Sequence, residues 1–137
     1  MNSKINILLV EDNPADIKLL KVYLKDIYGD DVIFSTALSL NEAINKVERN
    51  KFDVVMLDLT LPDSSGTETL TKLHHCIPET PIIVLTGMEN TNIGINVVKM
   101  GAQDFLEKDE VSEKSLKKSI SYSIERQKLL IKLLEIF

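Results

Sequence analysis

Five short strand-like runs, each followed by a longer stretch whose apolar residues recur every three or four positions, limit this chain to few folds. The runs are Ile5–Val10, Val32–Thr36, Val54–Leu57, Ile82–Leu85 and Asp104–Glu107. Strands that alternate with helices imply a parallel sheet covered on both faces. The first, third and fourth runs are almost continuously apolar, as central strands are. The second ends in Ser-Thr and the fifth, read with Gln103 as Gln-Asp-Phe-Leu-Glu, is polar at every position but two, so these two belong at the edges. With right-handed crossovers, the strand order 2-1-3-4-5 places them there and leaves a switch point between strands one and three.

The helix starts carry their own chemistry. Asn13 before Pro14 reads as an N-cap and a first-turn proline, and Gly29 ends that helix after the stripe Ile17, Leu20, Leu24, Ile27. Ser39 with Glu42, and Ser65 with Glu68, have capping-box spacing. Asn90 or Thr91 is expected to cap the fourth helix, with Ile93, Val97 and Met100 inward. Ser112 is expected to cap the fifth.

At 137 residues, with no linker or repeat, one domain is expected. The single cysteine, Cys76, excludes an internal disulfide and fits a reducing, cytoplasmic compartment. No run of apolar residues is long enough for a membrane span, and the first residues resemble no signal peptide. With 16 basic against 21 acidic residues, the net charge of −5 disfavours direct nucleic-acid binding.

In an open α/β sheet, ligands bind beyond the carboxyl ends of the strands at the switch point. Strand one runs into Glu11-Asp12 and strand three into Asp58. Three carboxylates in one crevice repel one another, and a divalent cation relieves this; an all-oxygen ligand set selects a hard ion such as Mg²⁺. The plainer account, acidic residues favouring a helix N-terminus, covers Glu11 and Asp12 but leaves Asp58 unexplained. A nucleotide pocket is disfavoured, because the turn after strand one is Glu-Asp-Asn-Pro rather than glycine-rich. Strand four ends in Thr86-Gly87 and strand five in Lys108, a hydroxyl and a cation suited to phosphoryl oxygens.

These residues, in order, resemble the receiver domains of two-component response regulators. The resemblance covers roughly Ile5 to Arg126. It rests on Glu11-Asp12-Asn-Pro, on Asp58-Leu-Thr-Leu-Pro62-Asp-Ser-Ser-Gly66, on Leu85-Thr86-Gly87 and on Gly101-Ala-Gln-Asp-Phe105-Leu-Glu-Lys108. It implies a flavodoxin-like (βα)5 three-layer sandwich. It implies that Asp58 accepts a phosphoryl group from a sensor histidine kinase or a phosphotransfer protein. Asp12, Asp58 and the backbone carbonyl of Thr60 would ligate Mg²⁺, with Glu11 acting through a water. Lys108 and Thr86 would contact the phosphoryl oxygens, and Thr86 and Phe105 would form the switch read by a downstream partner. Thr60 and Met88 stand at positions that tune phosphoryl lifetime. The family's proline after the strand-five lysine, joined by a cis bond, is replaced by Asp109; a non-proline cis bond costs ~3–4 kcal/mol.

Two other classes fit these residues less well. A phosphorylation-independent interaction module is disfavoured by the intact acidic trio and Lys108. An aspartate-based phosphohydrolase would carry a second acid two residues after its nucleophile, where this chain has Thr60. His74 and His75 are expected at an exposed helix end and Cys76 packed as a small apolar group. The lysines between Lys114 and Lys132 are expected on a solvated helix face.

From Ser112 to Phe137 nothing interrupts a helix, and roughly twenty-five residues span ~37 Å where the sheet needs ~20 Å. The chain therefore divides into a receiver domain at 1–126 and a helical extension at 127–137. Leu116, Ile120 and Ile124 would face the sheet. Leu129, Leu130, Ile131, Leu133, Leu134, Ile136 and Phe137 exceed what a free helix end carries. The extension could pair with a second copy, fold back on the core, or lead into a further domain. The face of the fourth helix and fifth strand is a second candidate dimer surface.

Overall fold

The computed structural model describes residues 4–87 and 94–136. The expected cap at Asn90 or Thr91, Ile93 of the inward stripe, and Met88 lie outside them. Strands β1 (Ile5–Val10), β2 (Val32–Ala37), β3 (Val54–Asp58), β4 (Ile82–Thr86) and β5 (Asp104–Glu107) form one sheet. Helices α1 (Pro14–Tyr28), α2 (Leu40–Arg49), α3 (Thr67–Cys76), α4 (Gly94–Lys99) and α5 (Glu113–Ile136) connect and follow them. The sheet order is β2-β1-β3-β4-β5, every pair parallel. Every residue of β3 and β4 is buried, whereas β5 is half-buried throughout and Ile33 on β2 is exposed. Sequence polarity thus sorts centre from edge.

Strand side chains alternate between two cores. Ile7, Leu9, Met56 and Ile83 pack against Leu20 and Leu24 of α1 and Leu116 and Ile120 of α5. Leu8, Val55, Leu57 and Val84 pack against α2, α3 and Val97 of α4. Two helices therefore cover one face and three the other. The register aligns Val10 with Leu57, and Asp58 with Leu85, so β1, β3 and β4 end at one level. That alignment makes the site.

The caps explain where helices begin. Asn13 Oδ1 accepts from the N–H of Ala15 at 2.9 Å and of Asp16 at 3.2 Å, and Gly29 closes α1 at φ +61°. Ser39 Oγ accepts from Glu42 N–H, although Glu42 returns its carboxylate to Leu38 N–H rather than to Ser39. Ser112 Oγ accepts from Ser115 N–H, opening α5 as expected.

The third helix departs from expectation. Ser65 is no cap, because Ser64–Ser65 pairs antiparallel with Thr60–Leu61 in a two-residue ribbon. Gly66, at φ +74°, takes the cap position, and Glu68 pairs with Lys72 at 3.0 Å instead. His74 is not exposed: its ring packs so closely on Gly101 that a Cβ there would stand 2.7 Å from it. His75 is exposed as expected, but Cys76 is exposed too and does not pack as a core residue. Among the described residues no peptide bond is cis, including that joining Lys108 to Asp109.

Helix α5 is fastened by polar contacts as well as apolar ones. Ser119 Oγ donates to Asp104 Oδ2 at 2.7 Å, Gln103 donates to Gln127 at 2.8 Å, and Arg126 donates to the Gln103 carbonyl at 3.0 Å. Gln127 is its last buried residue; Leu129, Leu133 and Ile136 beyond it are 59%, 56% and 75% exposed. The lysines of this helix are all exposed. Among the described residues no helix is long and apolar enough to cross a membrane.

Candidate functional site

The crevice is built by three strand ends. Glu11 N–H bonds the Ala37 carbonyl at 2.9 Å, extending the β1–β2 ladder by one residue and fixing where the chain leaves the sheet. The Glu11 side chain is fully buried, and its Oε2 accepts from the N–H of Asp12 at 3.1 Å and of Asn13 at 3.2 Å. Asp58 ends β3 and is 4% exposed. One carboxylate oxygen each of Glu11, Asp12 and Asp58 lie within 4.8 Å of one another. Glu11, Asp12, Asn13, Asp58, Thr60, Gly87 and Lys108 line a cavity of about 230 Å³.

Lys108, just beyond β5, supplies the opposing charge. Its Nζ lies 2.5 Å from Glu11 Oε1, 3.1 Å from Asp16 Oδ2 and 3.2 Å from Asp58 Oδ2. The other Asp58 oxygen, Oδ1, accepts from Thr60 N–H at 3.2 Å. Thr86 is buried beside the cavity, and its hydroxyl donates to the Leu106 carbonyl at 3.4 Å. Phe105 is half-buried against the α2–α3–α4 core.

Charge crowding marks the site. Burial, with repulsion from Asp58, pushes the Glu11 carboxyl from 4.5 up to about 7, against the pull of Lys108. Burial alone would lower the Lys108 pKa, but its bond to Glu11, the Asp58 charge and its bond to Asp16 leave it raised. An all-oxygen donor set with more negative than positive charge suits a hard divalent cation. The residues present therefore fit Mg²⁺.

A pH dependence follows in metal-free buffer. Below pH 4.5 Glu11 is protonated whether folded or unfolded; between 4.5 and about 7 only the folded chain keeps the proton. Stability is therefore greatest on the acid side of this window and falls as pH rises through it, then levels. For this group alone the fall is on the order of 3 kcal/mol. Urea titrations from pH 5 to 8 should show that decline, and Glu11→Gln should flatten it.

Two residues at the site were not anticipated. Asp16 reaches Lys108 from the first turn of α1, and no local pattern around Asp16 marks a partner 92 positions away. Asp63 lies in the loop after Asp58, and its two oxygens accept from the N–H groups of Leu40 and Asn41, each at 2.9 Å. These bonds, Asn41 foremost, hold its carboxyl below the usual range and tie that loop to the start of α2. Nothing near Asp63 in sequence announces a partner 23 positions away.

Comparison with known proteins agrees with this architecture. A family model described as "Response regulator receiver domain" matches residues 7–121. The chain is 32% identical over 98 residues to the regulatory protein LuxO of Vibrio cholerae, covering 72% of this chain and 21% of that protein. It is 35% identical over 105 residues to the swarming motility regulation protein RssB of Serratia marcescens, covering 75% and 46%. The chain thus spans less than half the length of these curated relatives. A crystallised response regulator receiver domain protein from Clostridium thermocellum superposes at a TM-score of 0.79 with 31% identity, covering 92% of this chain and 98% of that one. A CheY-like receiver domain protein from Methanospirillum hungatei gives 0.76 and 28%, with the same coverages. Five parallel strands in this order, with an acidic trio and a lysine at their ends, make the chain a member of the response regulator receiver domain family.

Proposed function

We propose that this receiver is a phosphorylation-controlled signalling switch in which Asp58 is the phosphoacceptor. The observation that carries the reading is the placement of Asp58: nearly buried at a strand end, lining the cavity, with Lys108 Nζ 3.2 Å from one oxygen. The phosphodonor is a phosphohistidine on a sensor histidine kinase or a phosphotransfer protein. An Asp58 oxygen forms a bond to phosphorus as the P–N bond breaks, and the bonding pair leaves on the imidazole nitrogen, which takes a proton. Asp12, Asp58 and the Thr60 carbonyl would hold Mg²⁺, with Glu11 behind a water; bound there, the ion supplies charge neutralisation for carboxylates and phosphoryl oxygens.

The protein's own groups do the rest. Lys108 meets the charge arriving on the phosphoryl oxygens. Thr86, whose hydroxyl now satisfies the Leu106 carbonyl, can exchange that bond for a phosphoryl oxygen. The exchange loosens β4 from β5 beside Phe105 and alters the face of α4 and β5. This is a two-state change biased by a covalent charge. An unidentified output domain or protein reads that face, without direct nucleic-acid contact by these residues. Residues 1–126 form the switch. The 127–137 extension, with its exposed leucines, serves as linker or self-association segment. The compartment is the cytoplasm. The chain acts on its own Asp58, with slow hydrolysis, and not on outside substrates.

Incubation with acetyl phosphate and Mg²⁺ should add one phosphoryl mass to the intact protein, and chelating the metal should prevent it. Absence of any adduct would favour a passive interaction module. Rapid multiple turnover would favour a phosphohydrolase.

A further inference from the structure

The contacts of Lys108 leave one carboxylate without a role in the reading above. We propose that Asp16 is a positioning residue that holds the Lys108 ammonium beside the acidic cavity when a divalent ion claims the other carboxylates. The inference rests on the metal-dependent phosphoacceptor reading.

Lys108 has three ammonium protons and three carboxylate neighbours, Glu11 at 2.5 Å, Asp16 at 3.1 Å and Asp58 at 3.2 Å. Glu11 and Asp58 belong to the trio that fits a cation. An ion there competes with Lys108 for both. Asp16 stands apart from that competition. It does not line the acidic cavity but a narrower crevice beside it, with Leu20, Tyr23, Leu85 and Val111. Its side chain is 32% exposed and that of Lys108 22%, so the pair is partly shielded from water. An acidic residue in a first helical turn is favourable by itself, and the Asp16 N–H does serve the Asn13 cap. That benefit needs no contact with a lysine 92 residues away, yet the contact is made.

The consequence is a direction of coupling. With Asp16 present, Lys108 is drawn toward α1, which limits its hold on Glu11 and Asp58. Without Asp16 the ammonium settles wholly on those two and competes harder with the ion. Asp16→Asn should therefore weaken Mg²⁺ binding, measured by calorimetry, by about threefold or more. Lys108→Gln should strengthen it. Loss of an acidic charge would weaken Mg²⁺ slightly at any nearby position, and the double variant separates the two causes. In the Lys108→Gln background, Asp16→Asn should change Mg²⁺ affinity by much less than it does in the native chain. Asp16→Glu should recover part of the native affinity, and circular-dichroism melts verify that each variant is folded.

Equal Mg²⁺ affinity in Asp16→Asn and the native chain, or the same loss with and without Lys108, would overturn the proposal while leaving the phosphoacceptor reading intact. A native chain that neither binds Mg²⁺ nor takes up a phosphoryl group from acetyl phosphate would overturn both.

Discussion

Asp58→Asn should abolish phosphoryl uptake while leaving the fold standing. The amide preserves the size of the side chain but offers no carboxylate nucleophile. The rate of adduct formation should fall at least about a hundredfold, on the order of 3 kcal/mol or more of transition-state stabilisation. Stability should change little, because two effects oppose. The Asp58–Lys108 ion pair is lost, but so is the repulsion that Asp58 exerts on buried Glu11. In metal-free buffer the variant should melt close to the native chain, so loss of the adduct would report chemistry and not unfolding. Mass spectrometry of both proteins after equal exposure to acetyl phosphate and Mg²⁺ gives the comparison.

The second large effect lies in the core. Ile83, in the middle of β4, is fully buried among Leu9, Met56, Leu116 and Ile120. Ile83→Ala removes methyl groups from a place where two strands and α5 limit relaxation, so it should cost about 3–4 kcal/mol. For a chain of this size the melting temperature should drop by about 10 °C. Leu133→Ala on the exposed end of α5 is the contrast, expected within about 0.5 kcal/mol for an isolated copy. Urea midpoints with an unchanged slope would confirm that stability alone moved. A cost above 2 kcal/mol at Leu133 would show that the extension is packed in solution.

Most of the architecture was legible because the strands differ in kind. Continuous apolar runs at Ile7–Val10, Val54–Leu57 and Ile82–Leu85 cannot sit at an edge, and the polar fifth run cannot sit at the centre. Once the order was set, strand direction alone brought Glu11, Asp58 and Lys108 together. Local caps at Asn13, Ser39 and Ser112 were readable for the same reason: the partners lie within three residues. Nonlocal chemistry was not readable. Ser65 has the spacing of a cap, but its backbone is taken by Thr60, and a two-residue ribbon leaves no periodic trace. His74 looked like a solvated helix end until Gly101, far along the chain, provided a surface for its ring. Asp63 caps a helix that precedes it, and Asp16 pairs with a lysine near the other end of the chain. Cys76 erred the other way: its hydrophobic character suggested burial, yet α3 ends with it turned to solvent.

The acidity of the chain takes on a specific meaning at the site. A net charge of −5 says little, but three carboxylates beside Lys108, with Asp12 close to two of them, create a place where added positive charge is favourable. The same crowding that raises the Glu11 pKa is what a divalent ion would relieve.

The most direct test is to locate the phosphoryl group. Borohydride converts an aspartyl phosphate to the corresponding alcohol, and trypsin releases residues 52–72 as one peptide holding Asp53, Asp58 and Asp63. After acetyl phosphate and Mg²⁺, fragmentation of that peptide should place the reduced residue at Asp58 alone. Reduction at Asp53 or Asp63 instead, or at Asp12 in the tryptic peptide of residues 5–18, or a phosphoryl group found only on His74 or His75, would contradict the account.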